Sequence, residues 1–230
     1  MKNILAIIPA RGGSKRVPKK NLKEIGGIPL VAIAVNHAKA SKYINQIIVS
    51  TDDEEIANVG AKYGADIIDR PDHLRNDNTI MEADNILCDV VEKLEGKGTL
   101  IDIVVLLYPT APLRTVEKID EAINLVLNND FDSSLSLVND QGYFWRQEDN
   151  KENVEPYNYD PLNRLPSVMH SFKQFKENKA IYVCTRDLLI ESRCRLGGKI
   201  GHVIMSSLDS IDVDTFEDLD LCRVLYNKNN

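Results

Sequence analysis

Residues 4–21 read ILAIIPARGGSKRVPKKN. The first five are apolar without interruption. The thirteen that follow hold two adjacent glycines, two prolines and five basic side chains, Arg11, Lys15, Arg16, Lys19 and Lys20. A short apolar run without polar alternation predicts a strand covered on both faces, and the Gly/Pro-rich segment after it predicts a turn. Working outward, the runs at 46–49, 66–68 and 103–107 have the same character, and helical periodicity fills the gaps at 30–40, 54–63, 80–94 and 117–127. Asp52 or Asp53 and Thr115 stand where N-caps belong. Strand followed by helix, repeated, predicts an α/β fold: three αβα layers around a mostly parallel, Rossmann-like sheet.

Regularity lapses over residues 139–175, which are polar and aromatic, and returns with strands near 180–184 and 202–205, a helix near 187–191 and a terminal helix from about Phe216. The expected organisation is one domain over 1–230, with 139–175 as an inserted excursion. Its aromatics, Tyr143, Phe144 and Trp145 among them, serve either as core or as a contact between copies.

The chain has 230 residues and a formal net charge of −7, which argues against a nucleic-acid or anionic-membrane surface, since both want a broad basic field. No stretch approaches membrane-span length and no signal peptide is expected at the start, so the reading is a cytoplasmic protein. Cys88, Cys184, Cys194 and Cys222 show no CxxC spacing, so neither a zinc site nor a disulfide framework is expected. The basic charge is local, which suits a small anionic ligand.

In an open parallel sheet the ligand crevice lies beyond the carboxyl ends of the strands. Five polar segments fall there: the loop of 9–21, STDDEE, DRPDHLRND, YPTAPLRT and SIDVDTFED. The first is neither a Walker A loop nor GxGxxG. Its Gly12-Gly13-Ser14 turn can still offer successive N–H groups to an anion, and the five cations around it suit a triphosphate. Asp212 and Asp214, at i and i+2 on an extended segment, point to one side and either share a hard cation such as Mg²⁺ or cap the following helix. Asp52 and Asp53 are read as helix caps. Thr110 and Arg114 place a hydroxyl and a guanidinium near the same rim, with Arg114 meeting either an acceptor carboxylate or a structural aspartate.

LAIIPARGGSKRVPKKNL, IIVSTDDEEIA, RPDHLRND, LLYPTAPLRT, ENKAIYV and DSIDVDTFEDLDL, in this order, resemble the sugar-acid cytidylyltransferases, the CMP-N-acylneuraminate synthetase family. The resemblance covers nearly the whole chain. It implies a GT-A-like nucleotidyltransferase fold and transfer of CMP from CTP to a nonulosonic, sialic-acid-like acid, whose anomeric hydroxyl attacks as pyrophosphate leaves. By that resemblance Arg11 and Lys20 grip the triphosphate and, with Asp212 and Asp214, form the catalytic set. Ala10, Arg11, Gly12, Gly13, Ser14, Lys20, Asn21, Arg70 and Asp77 hold the nucleotide. Asp212 and Asp214 bind Mg²⁺, while Tyr108, Thr110, Arg114 and Asn178 fall on the acceptor side. A homodimer is implied, with the excursion covering a neighbour's pocket. The base is one of the two aspartates or no residue at all.

The departures lie on the acceptor side. Tyr108 replaces the glutamine of QPTSPLR, Lys179 replaces the glycine of NGAIY, and a pair of aromatics is absent around 193–196. The alternatives are therefore a nucleotidyltransferase of the same fold with another sugar or polyol-phosphate acceptor, or a GT-A-like glycosyltransferase.

Overall fold

In the computed structural model, which describes residues 2–75, 82–164 and 173–229, the first apolar run is strand β1 (Ile4–Pro9). Ile4, Ala6 and Ile8 enter one buried cluster, and Leu5 and Ile7 the other. Because both faces are covered, polar alternation would place hydrophilic groups in a core, so the strand is apolar throughout. Each fully buried aliphatic side chain of this kind contributes roughly 1.5–3 kcal/mol.

The chain then runs through a small hairpin of β2 (Glu24–Ile25) and β3 (Ile28–Pro29), α1 (Leu30–Ala40), β4 (Gln46–Thr51), α2 (Glu54–Tyr63), β5 (Asp66–Asp69), α3 (Glu82–Glu95) and β6 (Ile103–Leu106). It continues with α4 (Val116–Asn128), β7 (Ser133–Asn139), a second hairpin of β8 (Trp145–Arg146) and β9 (Glu155–Pro156), β10 (Phe175–Thr185), α5 (Arg186–Ser192), β11 (Ile200–Met205) and α6 (Phe216–Asn229). Local chemistry sets the helix ends. Asp53 caps α2 by accepting the Ile56 N–H at 3.1 Å, Gly64 ends it in the left-handed region (φ 100°), and Thr115 caps α4.

The main sheet has the order β11-β7-β10-β6-β1-β4-β5. Its neighbours pair in parallel except β10, which runs antiparallel to both β6 and β7. Helices α1, α2 and α4 cover one face, and α3 and α5 the other. Helix α6 and the β2–β3 hairpin close a third cluster over the start of α1. The α/β three-layer expectation is met, with two differences in detail. Strand β7 is not apolar in sequence, since Ser133, Ser134 and Ser136 are buried in it. Their hydroxyls donate to the Gly197 carbonyl, the Ala122 carbonyl and Asn178 Oδ1 at 2.8, 2.8 and 2.6 Å, so a polar-looking segment is a satisfied core strand. Strand β10 is antiparallel because the excursion, rather than a crossover helix, returns the chain to the sheet.

The excursion leaves at the end of β7 and rejoins at β10. Its aromatics pack on one another: the Tyr143 and Tyr159 ring centroids are 4.7 Å apart, and the Arg164 guanidinium lies 4.2 Å from the Tyr143 centroid. Trp145 and Tyr157 remain more than half exposed, so the core alternative for these rings is not met. Cys88, Cys184, Cys194 and Cys222 are all free thiols.

Strands β4 and β5 extend the sheet to one side of β1, and β6 returns to the other. The direction in which strands are added therefore reverses across the β1–β6 gap, and that gap at the carboxyl ends is where such sheets hold ligands.

Candidate active site

The cleft at this point has a volume of about 540 Å³. The loop after β1 forms one side, and its shape is fixed by its neighbours. Ala10, fully buried, donates its N–H to the Ser50 carbonyl (2.9 Å), and Gly12 donates to Asp52 Oδ1 (2.9 Å). A Cβ on Gly12 would lie 2.6 Å from Asp53 Oδ2, so only glycine fits, whereas a Cβ on Gly13 would meet nothing within 4 Å. The second loop, STDD, therefore buttresses the first instead of lining the cleft. The expected run of free N–H groups is also not what forms: Gly12 N–H is taken by Asp52, and Ser14 N–H by the Gly12 carbonyl at 2.9 Å. Ala10, Gly12 and Gly13 do not line the cleft, and Pro9, Arg11, Ser14, Lys15 and Arg16 do.

Lys19 adopts the left-handed region (φ 53°) and pairs with Glu55, which turns the chain so that Lys20 faces inward. Asn21, buried, holds the turn by donating Nδ2–H to the Arg11 carbonyl at 2.8 Å. Lys20 Nζ donates to the Val213 carbonyl (2.7 Å) and to Asp214 Oδ1 (3.1 Å), tying the two ends of the chain together. Arg16 Nη1 stands 3.4 Å from Asp214 Oδ2 and Lys179 Nζ 3.1 Å from Asp212 Oδ2.

Val213 is fully buried and donates its N–H to the Thr110 carbonyl at 2.7 Å, so the extended alternation turns Asp212 and Asp214 to the cleft. The capping alternative for this pair is answered by its neighbours. Thr215 Oγ1 accepts the Asp218 N–H, and Asp218 Oδ2 accepts the N–H groups of Asp214 and Thr215. Burial pushes the Asp214 carboxyl up, but the hydrogen bond and charge of Lys20, with Arg16 and Lys179, outweigh it and hold the group below the usual carboxylate range.

Arg70, at the end of β5, lines the cleft while almost wholly buried, with Nη2 3.3 Å from the Ser50 carbonyl. Asp77 lies outside the described residues. On the acceptor side, Tyr108 and Thr110 line the cleft. Arg114 does not: it is 1% exposed and donates Nη1–H to the carbonyls of Tyr108 (2.6 Å) and Ala180 (3.0 Å). Among the described residues no aspartate pairs with it, and its Nε and Nη2 have no partner. It instead clamps the loop after β6 to β10, and burial pulls its guanidinium down to about 9. Asn178 is also withdrawn. It accepts from Ser136 Oγ (2.6 Å) and donates to Ser210 Oγ (2.9 Å) inside a bulge of β10, where Lys179 takes φ 58° and is aimed at Asp212.

Sequence reasoning missed Asp84 and Arg195, which line the wall beside Tyr108. Asp84 sits in the first turns of α3 and Arg195 between α5 and β11, so no local motif marks them. The only available signal was the loss of the expected aromatics around 193–196.

The family described as cytidylyltransferase matches residues 5–227. The chain is 30% identical over 215 residues to N-acylneuraminate cytidylyltransferase A of Danio rerio, covering 93% of this chain and 48% of that protein, so it spans about half of that relative. It is 29% identical over 231 residues to pseudaminic acid cytidylyltransferase of Campylobacter jejuni, covering 100% of this chain and 98% of that one. Among solved structures, CMP:2-keto-3-deoxy-manno-octonic acid synthetase complexed with CTP superimposes with a TM-score of 0.73 at 18% identity over 100% of both chains, and so shares the α/β nucleotidyltransferase fold.

Proposed function

The chain belongs to the cytidylyltransferase family, and from that membership we propose that it transfers CMP from CTP to a nonulosonic, sialic-acid-like sugar acid with release of pyrophosphate. The observation that carries the reading is the meeting of the basic loop after β1 with Asp212 and Asp214 across one cleft, joined through Lys20. Nucleotidyl transfer needs an attacking oxygen held in line and charge neutralised on the phosphate oxygens, more than it needs covalent help.

In this reading the acceptor hydroxyl attacks the α-phosphorus, the α–β bridging P–O bond breaks, and pyrophosphate takes the electron pair. Arg11 and Lys20 balance the charge on the phosphates, and Ser14 and Asn21 keep the loop in shape around them. Arg70 serves the nucleotide from the β5 side. Asp212 and Asp214 suit Mg²⁺ as a donor set: two carboxylates face the cleft, paired there with Arg16, Lys20 and Lys179, and Mg²⁺ takes one or two carboxylates plus phosphate oxygens. Such an ion, when bound, neutralises phosphate charge. The same side chains orient the acceptor hydroxyl, and a hydroxyl proton can leave to either carboxylate.

The proposed working form is a homodimer in the cytoplasm, with the exposed Trp145 and Tyr157 of the excursion at the contact. Light scattering on the purified chain tests this, and a monomer at assay concentration removes it. Among the described residues no helix is long and apolar enough to cross a membrane. A second reading keeps CTP and changes the acceptor to another sugar or a polyol phosphate. It is favoured by Tyr108 and Lys179, which put a phenol and a cation on the acceptor flank.

The test is pyrophosphate release from CTP and Mg²⁺ against a panel of eight-carbon and nine-carbon sugar acids, with ATP, GTP and UTP as controls. Turnover of an acid with CTP supports the first reading. Tight CTP binding with no acid turned over selects the second.

A further inference from the structure

The wall across from the basic loop holds a second, separately built cation. The Arg195 N–H donates to Asp84 Oδ1 and its Nη1–H to Asp84 Oδ2, both at 2.9 Å. The Asp84 side chain is 5% exposed and that of Arg195 19%. The guanidinium lies 4.5 Å from the centroid of Tyr182, which Tyr108 meets edge-on at 6.3 Å. The hydroxyl of Tyr182 donates in turn to Glu177, so the ring is held in place. A guanidinium has five donors, and a buried donor without a partner is costly enough to need an explanation. Arg195 Nε is such a donor among the described residues. It belongs to the Nε–Nη2 edge, one of those with which arginine pairs bidentately to carboxylates, while Asp84 occupies Nη1.

Strand order tells which flank of the cleft Arg195 lines. Arg70 stands on the β4–β5 side of β1, and Tyr108 and Tyr182 belong to β6 and β10 on the other side. With the phosphate loop in the centre, Arg195 lies on the flank opposite Arg70. Its neighbours in the wall include Ala83, Ile86 and Tyr108, an apolar surface suited to an acyl, methyl or deoxy substituent.

We propose that Arg195 is the carboxylate anchor of the acceptor subsite and that Asp84 is the residue positioning it. The assignment rests on the sugar-acid reading above. It replaces Arg114, which is walled in behind Tyr108, with a cation the cleft can reach.

The test uses the full chain and varies acid and CTP separately in the pyrophosphate assay. Loss of a charge-assisted bidentate contact should raise the acid KM by about 10- to 100-fold in Arg195→Gln and leave the CTP KM unchanged. The unaltered protein should prefer a sugar acid over its carboxamide, and Arg195→Gln should lose that preference. A merely structural arginine would not alter this selectivity. Should Arg195→Gln not fold, Arg195→Lys keeps a cation beside Asp84 while removing the planar fork, and should lose most of the preference. Full retention of acid-over-amide preference in the folded variants, or an equal rise in both KM values, overturns the subsite alone. Failure of the unaltered protein with every acid overturns the sugar-acid reading, and the subsite with it.

Discussion

The loop after β1 draws its cations from one run of thirteen residues, whereas the opposite wall draws on Asp84, Tyr108, Tyr182 and Arg195, which are scattered over more than a hundred positions. The loop is neutralised from outside, by Asp214 at the far end of the chain and by Glu55 on α2. The wall carries its own counter-charge in Asp84. A phosphate-handling surface needs many cations on a short, tightly supported turn, and the β1 strand end provides that position. A surface that recognises a varied acceptor can be assembled from whatever side chains the flank of the sheet presents. The loop is thus a local feature of the sequence and the wall a distributed one, which is why the two sides differ in how they can be read.

If the loop is the phosphate side, Lys20→Ala should lower turnover by at least about 100-fold, since it removes a charge placed where negative charge develops. Circular dichroism should report an intact fold. Wild-type turnover in the folded variant would break the contrast between the two flanks. The two glycines sharpen it further. In Gly12→Ala the new Cβ must displace Asp53, the cap of α2, so chemical denaturation should show a loss of about 1–3 kcal/mol and the CTP KM should rise. Gly13→Ala faces open space and should change stability by less than about 1 kcal/mol. Equal effects at both positions would mean that the buttress from STDD is not what shapes the loop.

A smaller effect is expected for Asp214→Asn, which keeps the shape and removes the charge: about tenfold more Mg²⁺ for half-maximal rate, corresponding to about 1.4 kcal/mol. An unchanged metal titration would leave Asp214 as a partner for Lys20 and Arg16 only. A pH effect is expected from His37 on α1. Burial, with the nearby charge of Arg114, pulls its imidazole down to about 3. The unfolded chain takes up this proton near pH 6.5 and the folded chain only near 3. Between those values the unfolded state binds more protons, and stability falls as pH drops, by at most about 1.4 kcal/mol per pH unit. Urea midpoints measured from pH 7 to pH 4.5 should show this slope, and His37→Gln should flatten it.

Helix α2 is legible to the residue because the Asp53 cap and the periodic face fall where the sequence puts them and Gly64 stops it, whereas α1 keeps its expected bounds from periodicity alone, with Pro29 before it and no side-chain cap. β7 is not, since whether Ser134 is a loop residue or a core residue depends on the Ala122 carbonyl, which only the fold brings near. The Asp212–Asp214 pair is legible from extended alternation alone. Arg114 is not, because a guanidinium after a proline-rich turn looks the same whether it reaches a ligand or two backbone carbonyls. Asp84 and Arg195 carry no local pattern, and their meaning comes from packing of α3 against the segment after α5. The nest expected of Gly12–Ser14 fails for a related reason: the sequence shows donors, but not that Asp52 occupies one of them.

The ion pairs across the cleft, Lys20–Asp214, Arg16–Asp214 and Lys179–Asp212, have a kinetic consequence. A triphosphate entering this cleft exchanges partners with carboxylates already seated there, in a molecule whose net charge of −7 repels it at long range. Association is therefore not drawn in by a far-reaching field and is decided within a Debye length of the surface, about 8 Å at physiological salt. Raising the ionic strength screens the distant repulsion more than the nearby attraction, so the association rate of CTP should not fall steeply with salt.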